Sequence, residues 1–131
     1  MECIIQAQNL DVGYGKNAVI SDVNIDAMKG QVICLLGPNG AGKSTILRTL
    51  SGLLAPVKGA VRVEGIEIKK MKTKEIAQKI SLVLTDSVAP SLTTVYELIS
   101  MGRTPYTNFL GRLSDEDKKI IDESLLIKAF F

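Results

Sequence analysis

The chain has 131 residues, and because a domain averages roughly 100–200 residues, it is one domain or a piece of one. Hydrophobic residues make up 46% of it and charged residues 23%, a globular composition that excludes intrinsic disorder. Its 16 basic and 14 acidic residues leave a net charge of +2, so we expect no nucleic-acid partner.

Two absences narrow the function further. The sequence contains no histidine, which excludes imidazole as a catalytic base or metal ligand and with it Ser-His-Asp triads and most zinc enzymes. The longest strictly apolar run, 32–36, is far shorter than the roughly 20 residues that span a bilayer. The N-terminus lacks basic residues followed by an apolar stretch, so it does not resemble a secretion signal. We expect a soluble, intracellular chain.

The first predicted elements are two half-buried antiparallel strands at 2–10 and 18–27, where apolar and polar residues alternate. The turn between them carries Gly13 and Gly15. The next segment, 31–37, is continuously apolar and β-branched, which predicts a strand buried on both faces.

The two cysteines lie within predicted strands. Cys3 is in the first strand and Cys34 is in the continuously apolar one. We interpret both as buried structural thiols rather than redox or metal-binding groups, because free cysteine packs as a small apolar residue.

The remaining elements alternate between helix and strand. Helical spacing of apolar residues, glycine punctuation and capping signals predict each of them. They are a helix from near Gly42 to Gly52, a strand at 59–65, a short helix at 73–79, a buried strand at 79–86, a helix opened by Thr94 and Glu97, and a last helix starting at Ser114. The fold class is α/β with an antiparallel N-terminal element.

The segment 37–45, GPNGAGKST, matches G-x-x-x-x-G-K-[ST] at every fixed position between a predicted strand and a predicted helix. Glycines let the backbone wrap around a phosphate, and the helix N-terminus adds unsatisfied N–H donors. Lys43 would reach the β- and γ-phosphates, and the Ser44 hydroxyl would ligate Mg²⁺. The predicted nucleotide-binding residues here are Gly37, Asn39, Gly40, Ala41, Gly42, Lys43, Ser44 and Thr45.

With Tyr14 upstream, the stretch GPNGAGKSTILRTLSGLLAPVKGAVRVEGIEI resembles the N-terminal half of an ATP-binding-cassette transporter ATPase, a P-loop NTPase. The likeness extends to about residue 125. It implies ATP and Mg²⁺ as cofactors and, at family level, ATP hydrolysis. In that family an aromatic residue after the first strand stacks on adenine, and Tyr14 holds this position.

The segment 97–125 is similar to ATPases that power importers of iron–siderophore, haem and cobalamin. The resemblance implies that 85–112 faces membrane-embedded permease subunits, that a second ATPase subunit pairs with the first, and that the protein is cytoplasmic and peripheral at the inner face of the membrane. Taken alone, the apolar loop residues Tyr106, Phe109 and Leu110 either pack on their own core or form a partner surface.

Thr85 departs from the family pattern, which places a glutamine there to reach the metal and the attacking water. A threonine is two heavy atoms shorter, so a metal role for Thr85 is open. Asp86, after an apolar run, instead mimics the metal-binding acidic strand of a compact P-loop kinase or NTPase. The basic run Lys69, Lys70, Lys72 and Lys74 is interpreted as a solvated face.

The family's signature loop, catalytic glutamate and switch histidine have no counterpart in this sequence. We therefore expect a truncated, single partial nucleotide-binding domain that is inactive alone, with no complete catalytic set. Two alternatives stay open: a non-catalytic nucleotide-binding or interaction fragment, and the compact P-loop enzyme with Asp86 on the metal.

Overall fold

A computed structural model describes residues 2–83 and 93–128 of the chain. The chain divides into two compact units, Met1–Ser81 and Leu82–Phe131, which we call the sheet unit and the helical unit. Within the described ranges, no helix combines the length and apolar character needed to cross a membrane.

The sheet unit begins with a long antiparallel hairpin, as the alternating pattern predicts. Strand β1 spans Cys3–Tyr14 and strand β2 spans Asn17–Met28. The register pairs Tyr14 with Asn17, so the turn has two residues and Gly13 lies inside β1 rather than in the turn.

Two further strands complete an antiparallel sheet of order β2-β1-β3-β4. Strand β3 spans Lys58–Val63 and pairs with β1, and strand β4 spans Ile66–Glu67. The apolar core lies where β1 and β3 meet α1 (Lys43–Leu50) and a short 3₁₀ turn (Ile68–Lys70), and it consists of Ala7, Leu10, Val12, Ile46, Val61, Val63 and Ile68.

The predicted short helix is confirmed as α2, Thr73–Lys79. The four lysines of the basic run lie in or beside this helix and the preceding 3₁₀ turn, and their side chains are exposed. Their interpretation as a solvated face agrees with this placement.

The helical unit contains α3 (Val95–Met101), a 3₁₀ turn (Thr104–Tyr106) and α4 (Asp115–Lys128). The predicted capping box of α3 is confirmed, because the Thr94 hydroxyl accepts from the Glu97 N–H at 3.2 Å and the Glu97 carboxylate accepts from the Thr94 N–H at 2.8 Å. The Thr94 N–H and the Thr94 hydroxyl both donate to the Glu97 carboxylate, and these two hydrogen bonds lower the pKa of Glu97.

The prediction of a strand at 31–37 is wrong. The segment has no regular secondary structure; the side chains of Val32 and Leu36 are 91% and 93% exposed, and Cys34 is exposed rather than buried. A strand buried on both faces needs neighbours at both edges, and no backbone pairing to 32–36 occurs within the described part of the chain. The core accordingly forms on β1 and β3 instead of around this segment.

The predicted strand at 79–86 is also not formed over its described part. Residues 80–83 are irregular, and Val83 is 95% exposed. Thr85 and Asp86 lie outside the described residues. Within the described ranges every pair of neighbouring strands is antiparallel. The parallel strand pairs typical of a P-loop core are therefore not formed by the described strands.

Candidate functional site

The glycine-rich segment 37–45 and the end of the hairpin form one open cleft. Its volume is about 350 Å³, within the range of small-molecule sites. The lining residues are Tyr14, Val19, Asn39, Gly40, Gly42, Lys43, Ser44 and Thr45. The structure therefore brings together seven of the nine residues that the sequence predicts to bind nucleotide. Gly37 and Ala41 belong to the same loop but are not in the lining.

Gly42 joins the loop to helix α1 in a conformation that only glycine adopts easily. Its φ is +83°, in the left-handed region, and a Cβ added there would lie 2.6 Å from Ile20 Cδ1. Gly40 has a similar φ of +82°, but no atom lies within 4 Å of an added Cβ. The hairpin thus packs directly against the start of α1, and a side chain at Gly42 would require Ile20 to shift.

The N-terminus of α1 points its donors at the loop. The first intrahelical bond runs from the Ile46 N–H to the Gly42 carbonyl at 2.9 Å, so the N–H groups of Lys43, Ser44 and Thr45 precede the helical ladder. No side chain caps this end. Such a terminus favours an anion through its N–H groups and its partial positive charge.

Lys43 holds its ammonium group above the loop. The ammonium donates to the carbonyl oxygens of Gly37 at 2.8 Å and Pro38 at 2.7 Å. An ammonium has three N–H donors, so these two bonds leave one for a phosphate oxygen. The same contacts hold the start of the loop near its end, which shapes the concave surface.

Ser44 is the candidate metal ligand that the structure describes. Its side chain is exposed and lines the cleft next to Lys43. The described residues contain no group of three Cys, Asp or Glu side chains able to hold a metal ion by themselves. This donor set fits Mg²⁺, which is commonly held by one or two protein oxygens together with water and substrate phosphates. Thr85 and Asp86, the other candidate metal residues, lie outside the described residues.

Tyr14, at the end of β1, also lines the cleft and is about half exposed. Val19 lies beside it on β2 and was missed by the sequence analysis. The signal that could have found it is the hairpin register: pairing of Gly13 with Ala18 places Val19 on the strand facing the end of β1. An aromatic ring and an aliphatic side chain together offer an apolar surface for a flat group.

The helical unit displays the apolar loop residues singled out in the sequence. Tyr106 is half exposed, Phe109 is fully exposed and Leu110 is mostly exposed, so they do not pack together on their own core. The Asn108 side-chain oxygen accepts from the Leu110 N–H at 3.0 Å and the Arg112 N–H at 3.1 Å. The loop is therefore ordered by its own hydrogen bonds while its apolar side chains face outward.

Comparison with known proteins gives a consistent result. A family model described as "ABC transporter" matches residues 20–127. An uncharacterized ABC transporter ATP-binding protein of Methanocaldococcus jannaschii is 42% identical over 98% of this chain and 47% of its own length. The iron(3+)-hydroxamate import ATP-binding protein FhuC of Bacillus subtilis is 44% identical over 92% of this chain and 45% of its own length.

Solved structures agree with these relatives. The ATP-binding subunit of an ABC transporter superposes with a TM-score of 0.72 at 25% identity, covering 86% of this chain and 45% of that subunit. The chain spans about half the length of the curated relatives it matches.

Proposed function

The chain belongs to the ATP-binding-cassette (ABC) transporter family, and on that premise we propose that it binds Mg-ATP for an importer of iron–siderophore, haem or cobalamin type substrates. The match to an iron(3+)-hydroxamate import protein supports this branch. We treat the 131 residues as a single partial nucleotide-binding domain, equivalent to about half of such a relative.

The observation that carries the proposal is the cleft itself. An aromatic ring, Tyr14, lines the same cleft as a phosphate loop with Lys43 at the start of a helix. A nucleoside triphosphate needs a flat apolar surface for its base and N–H and cationic donors for its phosphates. When bound, Mg²⁺ would neutralise phosphate charge, with Ser44 as its protein ligand.

The described residues supply binding rather than catalysis. Lys43 and the α1 terminus can hold the phosphates, but phosphoryl transfer also needs a group that positions the attacking water. We propose that steady-state hydrolysis by the isolated chain is negligible. Turnover near the order of 1 s⁻¹ that is lost on changing Asp86 to Asn would instead establish the compact P-loop enzyme.

The partners we propose follow from the family. They are membrane-embedded permease subunits, contacted through 85–112, and a second ATP-binding subunit, with the protein cytoplasmic and peripheral at the inner face of the membrane. The outward-facing Phe109 and Leu110 support the first contact, because ordered apolar groups exposed to water favour a partner surface.

Thermal denaturation with millimolar Mg-ATP tests nucleotide binding. Ligand at about 100 times its dissociation constant adds roughly 2.7 kcal/mol of stability, which raises the melting temperature on the order of 10 °C in a domain this size. We expect Lys43→Ala to remove most of this shift and Lys119→Ala, an exposed lysine of α4, to retain it. An unchanged melting temperature in the wild-type chain would overturn the proposal.

The role of Tyr14 has a separate test. Base–aromatic stacking is worth roughly 1–3 kcal/mol, so Tyr14→Ala should weaken ATP binding about 5- to 150-fold, whereas Tyr14→Phe should keep the ring and most of the affinity. Inorganic triphosphate lacks the base, and its binding should be equal in all three chains. Equal losses for ATP and triphosphate would show that Tyr14 shapes the loop and does not hold adenine.

A further inference from the structure

Helix α1 begins at a glycine whose own chemistry does not fix its conformation. Gly42 lies at the N-cap with a φ of +83° and a ψ of +10°, and no side chain caps this end of the helix. Glycine occupies positive and negative φ with similar ease, so the backbone of Gly42 is free to rotate unless a neighbour restrains it. The N–H groups of 43–45, the anion donors of the cleft, follow directly after this residue. Their direction therefore depends on what holds Gly42.

The side chain of Ile20, on strand β2, restrains Gly42. A Cβ added at Gly42 would lie 2.6 Å from Ile20 Cδ1 and 3.0 Å from Ile20 Cγ1, so the ethyl arm of Ile20 packs against the Gly42 Cα. The next nearest atom is Val19 Cγ1 at 3.3 Å. Among the described residues, and apart from the chain neighbours of Gly42 and the backbone of α1, the three closest atoms all belong to β2. Ile20 thus occupies the place that a side chain at position 42 would fill.

Both sides of this contact are attached to the same core. Ile20 is half-buried and packs against the core, and it pairs with Val12, which is completely buried on β1. On the helix side, the Ile46 N–H donates to the Gly42 carbonyl at 2.9 Å, and the Ile46 side chain belongs to the core as well. Gly42 is therefore held between an anchored strand and an anchored helical turn.

We propose that Ile20 is a positioning residue for the phosphate loop: it holds Gly42 in the left-handed conformation that directs the N–H groups of 43–45 into the cleft. This role rests on the nucleotide binding proposed above and extends it to a residue outside the lining of the cleft. A site that is ordered before its ligand arrives binds more tightly, because the ordering entropy is not lost on binding. Ile20 acts on affinity through Gly42.

Truncation of Ile20 has a matched control on the same strand. Ile25 is also a half-buried isoleucine of β2 that packs against the core, but it pairs with Ala7, away from the hairpin turn. Ile20→Ala and Ile25→Ala remove the same atoms, and titration calorimetry measures the binding of Mg-triphosphate to both folded chains. We expect Ile20→Ala to weaken this binding about 5- to 30-fold, the entropic cost of ordering the backbone of one residue, and Ile25→Ala to leave it unchanged. Ile20→Leu keeps a methyl group at the δ position and should retain most of the affinity.

Two ligands show which half of the cleft Ile20 affects. ATP and inorganic triphosphate share the phosphate chain, so Ile20→Ala should weaken both by the same factor, whereas Tyr14→Ala should weaken ATP alone. A larger loss for ATP than for triphosphate would mean that Ile20 acts on the base, and equal triphosphate affinity in Ile20→Ala and Ile25→Ala would mean that it positions nothing. Either result overturns the proposal while nucleotide binding stands. A wild-type chain that binds neither ligand would overturn the nucleotide-binding function, and this role with it.

A second substitution measures the contact itself. Gly42→Ala places a Cβ against Ile20, and Ile20→Ala removes the atoms that this Cβ meets. The losses of triphosphate affinity in the two single variants should therefore not multiply, and the double variant should bind about fivefold more tightly than their product predicts. Losses that multiply would show that the two residues act independently, contrary to the proposal.

Amide exchange tests the restraint in the nucleotide-free chain, where no ligand orders the loop. The Ile46 N–H closes the first turn on Gly42, and Leu50 lies at the other end of α1. A general loss of stability affects both amides, so the ratio of their exchange rates isolates the start of the helix. Ile20→Ala should raise the ratio of Ile46 to Leu50 exchange about fivefold or more, and Ile25→Ala should not change it. The same ratio in the wild-type chain and both variants would show that Gly42 does not need Ile20, and the proposal would be wrong.

Discussion

The interior of the sheet unit and the interior of the helical unit are stabilised by different interactions. The sheet unit has an apolar core in which Leu10, Val12 and Val61 are almost completely buried. In the described part of the helical unit, Ile121 is the one fully buried apolar side chain, and it is accompanied by the buried polar residues Thr107 and Asp117. Packing therefore dominates the first unit, and hydrogen bonding carries a larger share in the second.

Asp117 is the centre of the polar network in the helical unit. Its carboxylate accepts from the Ser114 N–H at 2.9 Å, the Ser114 hydroxyl at 2.7 Å and the Arg103 Nε at 2.8 Å. The Arg103 guanidinium also lies 4.0 Å from the centroid of the Tyr106 ring. One side chain thus ties the start of α4 to the segment that follows α3.

We expect the largest loss of stability when buried apolar volume is removed from the core of the sheet unit. Leu10→Ala removes a fully buried side chain between β1 and its neighbours, and such truncations cost about 2–5 kcal/mol in the free energy of unfolding. Leu53→Ala is the matched control, because Leu53 is mostly exposed and the chemistry is identical. Urea denaturation measures both. A similar loss for the two would mean that apolar burial does not dominate this unit.

A smaller effect separates backbone conformation from packing within the same unit. Gly40→Ala forces an alanine into the left-handed region and should cost about 1–2 kcal/mol. Gly42→Ala carries the same strain and also meets Ile20, so its cost should be higher. The difference between the two denaturation midpoints measures the contact between hairpin and loop. Equal midpoints would show that Ile20 simply moves aside.

In the helical unit, the corresponding test removes the side chain that caps the N-terminus of helix α4. Ser114 precedes α4, and its hydroxyl accepts from the Asp117 N–H at 3.1 Å. Ser114→Ala should cost about 1 kcal/mol, the usual value of an N-cap, and should speed amide exchange in the first turn of α4. Glu116→Ala, an exposed change in the same turn, is the control. If exchange in α4 did not change, the cap would contribute nothing.

The sequence predicted best the elements that local chemistry decides. The hairpin, the P-loop helix, the short helix at Thr73–Lys79 and both capped helices follow from alternation, helical spacing and capping residues close along the chain. The segments 31–37 and 79–86 have equally clear apolar runs. A buried strand, however, depends on partners elsewhere, so composition alone could not show that 31–37 stays unpaired in the described chain.

The candidate site also contains some residues that the local sequence identifies and some contacts that only the folded chain shows. The motif 37–45 and Tyr14 were identifiable because the first has fixed spacing and the second rests on a family resemblance. Val19 and the contact between Ile20 and Gly42 depend on the hairpin register, which alternation does not specify to the residue. The contacts from Lys43 to two loop carbonyls likewise arise from the folded loop.

The smallest and most specific effect that we expect is a loss of stability at the start of α4 at acidic pH. Hydrogen bonds from the Ser114 side chain and backbone, and then from Arg103, lower the pKa of Asp117 to about 2. An unfolded aspartate titrates near 3.9, so the folded state favours the charged carboxylate. This contribution to stability is fully present above about pH 4 and is lost as the pH falls toward 2. Amide exchange in 114–118 should therefore accelerate across that window, after correction for the intrinsic pH dependence.

Asp117→Asn provides the matched control, because an amide keeps the shape of the side chain and does not titrate. In that variant 114–118 should already exchange faster at pH 5, and the additional acceleration between pH 4 and 2 should disappear. Near Leu10 in β1, where apolar packing dominates, amide exchange should show no acceleration between pH 4 and 2 that depends on Asp117, in either chain. A helical unit with the same acid response in both chains would mean that the hydrogen bonds of Asp117 do not hold the start of α4. The contrast between the two units would then rest on packing alone.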